Sequence, residues 1–392
     1  MTRRVVILST ADFDSAVWTN KQHLAVGLAA GMDVVFVESM GLRRPGLNRA
    51  DLTRIGRALV PSREDDSAAG DPGPRRPRPE CLTVVSPKVI PVHGSRAVRW
   101  VNRRLVEAML LPQLGMDPDA VLWTFSPLTY GLEQHAGTVV YHSVDLLHTF
   151  PGVPAAALLA AERRLLAVAD VVIASSTGVR DHLVAQGRSD VVLWENVADV
   201  ELFREHRGHG GSENIGGDRL PRAIFAGNLT PAKVDFDLLT AVADADVPLA
   251  LAGPVAIDGA GGAGRVNALL EHPGVTYLGN LGPQELAREV GRSQVGLIPY
   301  LVNAHTAGVF PMKVFEYLAA GLDVLSTPLS SLSGSHHNGL RLISPKAFPA
   351  AVVLALIQFT EEAAAGRSEG SLEHSWAQRI RQAESVLQVA VR

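Results

Sequence analysis

The sequence predicts an α/β protein built from two parallel, helix-covered sheets, and three observations point there. Its 392 residues are enough for two domains. Apolar residues make up 47% and charged residues 19%, so two sizeable cores can be built and wholesale disorder is excluded. Short runs rich in Val and Ile recur at intervals that leave room for a helix between them, and they are continuous rather than alternating, as strands buried on both faces require.

In chain order the strand-like runs of the first half are Val5–Leu8, Val34–Glu38, Leu82–Ser86, Val121–Phe125, Thr138–Ser143, Val171–Ser175 and Val191–Trp194. Those of the second half are Arg222–Gly227, Leu249–Gly253, Val275–Leu278, Val295–Tyr300, Asp323–Thr327 and Arg341–Ser344. Helices are expected over Asn20–Ala30, Pro154–Ala169, Asp235–Ala243, Pro283–Val290, Pro311–Ala320 and Pro345–Thr360. Two Rossmann-like domains of similar size follow: residues 1–203, a Gly-rich charged linker at 204–220, and residues 221–370. A last helix within 371–392, carrying Trp376, Ile380, Val386 and Leu387 at helical spacing, is expected to pack across the domains. Residues 61–79, rich in Pro, Gly, Ser, Asp and Arg, read as a loop interrupting the first domain.

Composition excludes several classes of function. Thirty-six Lys and Arg against 40 Asp and Glu give a net charge of −4, without the basic excess of a nucleic-acid binder. A single cysteine, Cys81, forms no intramolecular disulfide and no Cys-rich metal site. No apolar stretch reaches 18 residues, and the N-terminal run is too short for a signal peptide, so a cytoplasmic protein is expected. No G-x-G-x-x-G follows the first strand and no G-x-x-x-x-G-K-[ST] occurs, which argues against a dinucleotide or P-loop site.

The strongest local signal runs from Ala304 to Pro328. Pro311 suits the first position of a helix and Gly321 the residue past its end. The helix would start in a loop containing His305 and Gly308, where free amides and the helix dipole favour an anion. Lys313 in the first turn is unfavourable for the helix itself, a conflict that a bound diphosphate would offset. Glu316 is placed to accept hydrogen bonds from two ribose hydroxyls. Read alone, the segment is equally explained as a capped structural helix with a solvated Lys and Glu.

Four stretches together resemble a known family. Phe310-Pro-Met-Lys-Val-Phe-Glu-Tyr-Leu-Ala-Ala-Gly-Leu-Asp-Val is similar to the donor-binding signature of glycosyltransferase family 4, in the branch of teichuronic-acid-biosynthesis type. Ala169-Asp-Val-Val-Ile-Ala-Ser-Ser, Glu195-Asn-Val-Ala-Asp-Val-Glu-Leu-Phe203 and Phe225-Ala-Gly-Asn-Leu-Thr-Pro-Ala-Lys-Val-Asp fit its other motifs in order. The resemblance implies a GT-B fold, with two Rossmann-like domains facing a central cleft. It also implies a metal-independent transfer of sugar, with retention, from a nucleoside diphosphate sugar (UDP or dTDP in preference to GDP) to an acceptor hydroxyl.

Carried over by position, Glu316 holds the ribose and Lys233 contacts the diphosphate. Gly227, Asn228, Gly253, Asn280, His305, Gly308 and Lys313 belong to the donor site. Two positions depart from the family pattern: Asn228 stands where it has an arginine, and Gly308 where it has an acidic residue. On the acceptor side, His142 and Asp145 lie at the end of a strand, and either can orient or deprotonate the acceptor hydroxyl; the family resembled has carboxylates at both places. Asp12, Trp18 and His23, near the end of the first strand, are further acceptor-side candidates. The acceptor itself is left open among a glycan, a lipid-linked sugar and a small molecule.

Other readings stay open. Asp12-Phe-Asp14 and Asp235-Phe-Asp237 match the Asp-x-Asp pair that chelates metal in other transferases, although the second opens a predicted helix. A sugar-nucleotide epimerase or hydrolase, or a non-catalytic nucleotide-sugar binder, can share this layout. Arg96, Arg99 and Arg103 share a helix face beside Trp100, which offers peripheral contact with an anionic membrane or is simply a solvated face.

Overall fold

Each of the thirteen apolar runs forms a parallel strand in the computed structural model, which describes residues 3–15, 18–42, 78–150, 152–208, 219–255, 263–303, 306, 309–334 and 336–389. The segment 61–79, apart from residues 78 and 79, and residues 209–218 of the expected linker lie outside the described residues.

The first sheet has the order β3-β2-β1-β4-β5-β6-β7, with β1 Arg4–Leu8, β2 Asp33–Val37, β3 Leu82–Val85, β4 Val121–Thr124, β5 Thr138–Ser143, β6 Val171–Ala174 and β7 Val191–Leu193. Val5, Ile7, Phe36 and Trp123 are buried in one apolar cluster, and Val6, Leu8, Val35, Val37 and Leu122 in another. Alternate residues of one strand thus enter two cores, which is why these runs carry no polar alternation. Helices α1 (Asn20–Leu28), α2 (Arg96–Leu105), α3 (Ala155–Val168) and α4 (Thr177–Ala185) belong to this half of the chain.

The second sheet repeats the order as β10-β9-β8-β11-β12-β13: β8 Ala223–Ala226, β9 Leu249–Ala252, β10 Val275–Tyr277, β11 Val295–Ile298, β12 Asp323–Ser326 and β13 Leu340–Leu342. Its helices are α5 (Val200–Glu205), α6 (Phe236–Ala243), α7 (Ala263–Leu270), α8 (Pro283–Gly291), α9 (Lys313–Ala319), α10 (Phe348–Gln358) and α11 (Glu361–Gly370), and α12 (Trp376–Val389) ends the described chain. In both sheets the strand order reverses between the first and fourth strands, β1/β4 and β8/β11. Ligands of open α/β sheets bind beyond the carboxyl ends at that point.

The chain divides into two units, one of residues 1–175, 179–195 and 379–392, the other of 176–178 and 196–378. The division falls at 195/196 rather than at the expected 203/204, because Val200 and Phe203 of α5 are already buried in the second core. Residues 379–392 return to the first core through Ala383 and Leu387. Gly27 makes room for that return, since a Cβ there would lie 2.3 Å from Ile380 Cδ1. Among the described residues no single helix is long and apolar enough to cross a membrane.

Candidate functional site

At the carboxyl ends of β8, β9 and β10 three glycines stand in a row. Gly227 N–H donates to the Ala252 carbonyl at 2.8 Å, and Gly253 N–H to the Gly279 carbonyl at 2.7 Å. A Cβ at Gly253, where φ is +126°, would meet the Gly227 carbonyl oxygen at 2.2 Å. A Cβ at Gly227 would lie 2.6 Å from both Cε and Nζ of Lys313. Two of these glycines were expected in the donor site; the reason each is glycine is close approach, of backbone at one and of an ammonium group at the other.

Around this floor the second unit gathers Lys233, Lys313, Glu316 and Tyr300. Lys233 follows β8, and its Nζ sits 4.4 Å from the centre of the Tyr300 ring. Burial pushes the Tyr300 phenol up, but the charges of Lys313 and then Lys233 more than reverse this and hold it below the usual 10. Burial also opposes the Lys313 charge, and Tyr300 and Glu316 outweigh it, so its pKa stands above the ordinary lysine value. Glu316 is raised by burial, opposed by Lys313 and reinforced by Asp199. In the sequence Tyr300 marks only the end of a strand; its one signal is a phenol at the mouth of the strand-order reversal.

The helix carrying Lys313 begins two residues later than expected and has seven residues, Lys313–Ala319, because Pro311 and Met312 form a preceding turn, with Val314 N–H on the Pro311 carbonyl at 3.1 Å. The Lys233 and Lys313 ammonium groups add formal positive charge near this helix start. His305 and Gly308 lie outside the described residues, and with them part of the expected amide cradle. Asn228 and Asn280 are exposed next to Gly227 and Gly279.

Tyr317 fixes this helix to the sheet. Gly296 leaves space for its ring, which a Cβ would approach to 2.3 Å, and its hydroxyl accepts the Ala226 N–H at 2.8 Å. Tyr317→Phe strands that buried amide, and a loss of about 1–3 kcal/mol in urea unfolding is expected.

In the first unit His142 is 2% exposed among Phe125, Trp194 and Trp123, with ring centroids at 4.9, 5.9 and 6.2 Å. Neither ring nitrogen has a hydrogen-bond partner among the described residues. Burial, then Arg379 and Lys21, hold its pKa well below 6.5, so the folded imidazole is neutral at neutral pH. Arg379 lies over Trp194 at 4.9 Å, and burial, opposed by Glu195, brings it down to about 10. Lys21 is likewise lowered by burial, opposed by Asp145. Lys21 and Arg379 thus lie within electrostatic reach of His142, and Asp145 within reach of Lys21; the two cations carry no signal in the sequence, because burial of a cation is a tertiary property.

This sets a pH dependence. The unfolded imidazole takes up a proton near pH 6.5 and the folded one does not, so stability present above that pH falls as the pH drops, by about 1.4 kcal/mol per unit. Urea unfolding between about pH 7 and about pH 5.5 should show a shallower fall in His142→Phe than in the wild type.

The remaining candidates have structural partners. Asp12 is exposed, and its carbonyl accepts Gln22 Nε2 at 2.9 Å. Trp18 donates to the Phe13 carbonyl at 3.1 Å and meets His23 edge-on at 5.4 Å. Of the Asp-x-Asp pairs, Asp14 pairs with Arg78 at 2.7 Å, Asp235 caps α6 through Leu238 N–H at 3.0 Å, and Asp237 pairs with Arg265 at 3.3 Å. Among the described residues no three His, Cys, Asp or Glu side chains gather as a metal site. Arg99 donates to the His93 carbonyl and Arg103 pairs with Glu107, while Trp100 is 62% exposed.

No family model matches the chain. Over 178 residues it is 30% identical to TuaH of Bacillus subtilis (strain 168), provisionally named a teichuronic acid biosynthesis glycosyltransferase; the match spans 44% of each chain. The fold matches sucrose-phosphate synthase from Thermosynechococcus elongatus at TM-score 0.66 and 16% identity, covering 98% of both chains. It also matches Anabaena Alr3699/HepE, solved in complex with UDP and glucose, at TM-score 0.62 and 14% identity, covering 99% of this chain and all of that one. The chain therefore has the two-domain GT-B fold and is similar to glycosyltransferases that share it.

Proposed function

We propose that the protein is a metal-independent, retaining glycosyltransferase that moves a sugar from a nucleoside diphosphate, UDP by preference, to an acceptor hydroxyl. The observation that carries this reading is the pairing of Lys233 and Lys313 beside Gly227 and Glu316, where the strand order of the second sheet reverses. As the anomeric bond breaks, negative charge grows on the diphosphate, and ammonium groups held in place stabilise it; one such donor is worth roughly a hundredfold in rate. Glu316 accepts hydrogen bonds from the ribose hydroxyls. On the acceptor side, neutral His142 orients the acceptor hydroxyl, and Asp145 is the group that receives its proton.

The likeness to TuaH favours transfer over the epimerase, hydrolase and non-catalytic readings. The partners now seen for Asp14, Asp235 and Asp237 favour chemistry without a chelated metal. Location in the cytoplasm, and membrane contact through Trp100, belong to the same proposal; recovery with anionic vesicles on flotation tests the latter.

Thermal unfolding with UDP, dTDP and GDP tests the reading. UDP at about a hundred times its dissociation constant adds roughly 2.7 kcal/mol. That gain should largely vanish in Glu316→Ala, and UDP release from a UDP-sugar should survive EDTA. No stabilisation by any of the three nucleotides overturns the proposal.

A further inference from the structure

We propose that Tyr300 is a positioning residue for the donor: its buried phenol, beside the Lys233 ammonium, keeps the Lys233 and Lys313 side chains near each other and, as they turn to a diphosphate, donates its own proton in a hydrogen bond to that diphosphate. The inference rests on the donor-site reading above and adds a residue to it.

Two lysines brought to one place repel each other, and a phenol oxygen with two lone pairs can accept from both at once. Tyr300 is built for that place. It is 2% exposed, and its ring meets Phe225 edge-on at 6.3 Å. Its main chain is tied to the segment that carries Lys233: Val234 and Tyr300 form an antiparallel bridge, Asp235 N–H donates to the Pro299 carbonyl at 2.8 Å, and Leu301 N–H to the Lys233 carbonyl at 2.9 Å. Thr327 Oγ1 donates to the Tyr300 carbonyl at 2.6 Å. Lys313 comes from α9, its Nζ 5.9 Å from the centre of the Phe225 ring that Tyr300 meets, with Glu316 and Tyr317 as the other ionisable neighbours of this group.

A diphosphate offers the ammonium groups anionic acceptors, which bind them more strongly than a neutral phenol does. Once they turn, the phenol oxygen loses the charges that favour its ionised form and keeps its proton to higher pH. No bond other than hydrogen bonds changes.

The test joins calorimetry with UDP to an ultraviolet tyrosinate titration, in the wild type and in Tyr300→Phe, which retains the ring under Lys233. The substitution should raise the UDP dissociation constant about tenfold. The wild type should show a phenol ionising below pH 10 that is missing from Tyr300→Phe; Tyr130, Tyr141 and Tyr317 are all shifted upward by burial. Adding UDP should move that wild-type ionisation to higher pH, an arm that needs no variant. A wild type that binds UDP, with affinity within about twofold in Tyr300→Phe or a titration indifferent to UDP, overturns the inference alone. A wild type that binds no UDP overturns the donor-site reading and the inference together.

Discussion

Lys313→Met should lower the release of UDP from a UDP-sugar by about a hundredfold or more, roughly 3 kcal/mol of transition-state stabilisation. The methionine keeps an unbranched stem beside Phe225 and removes the charge together with its N–H donors. That charge is the one Gly227 admits at the end of β8, and Glu316 and Tyr300 hold it in its ammonium form. Initial rates at saturating donor measure the effect; an unchanged rate would mean that the leaving group departs elsewhere.

Gly253→Ala is expected to produce the largest loss of stability. Its Cβ would press on the Gly227 carbonyl oxygen and carbon, at 2.2 and 2.7 Å, and backbone has no rotamer with which to yield. Overpacking and a left-handed φ together cost about 3 kcal/mol. For a domain of this size the midpoint of thermal unfolding falls by about 6–12 °C. Gly279→Ala is the control: φ is +75° there too, but nothing lies within 4 Å of the added Cβ, so about 1 kcal/mol of strain is expected. Equal losses in the two variants would contradict the close approach of β8 and β9.

The strands were legible because a parallel sheet buried on both faces leaves an unbroken apolar run, as Val5 to Leu8 and Val34 to Val37 do. The ends were less so: the turn at Pro311 and Met312 looks helical in sequence, and only the backbone separates it from α9. The entry into the second unit at Asn196 was hidden by the charged residues after 204, because α5 already packs inward through Val200 and Phe203. In the site, Lys233, Lys313 and Glu316 carry motif signals. Tyr300 does not, since an aromatic ending a strand reads as core. Lys21 and Arg379 sit 358 positions apart in sequence and are linked only by what surrounds His142.

A crystal structure with UDP should show the diphosphate within hydrogen-bond reach of both Lys233 and Lys313 beside Gly227, with the ribose hydroxyls on Glu316. A nucleotide seated away from the carboxyl ends of β8 and β11, or touching neither lysine, would contradict the donor-site reading.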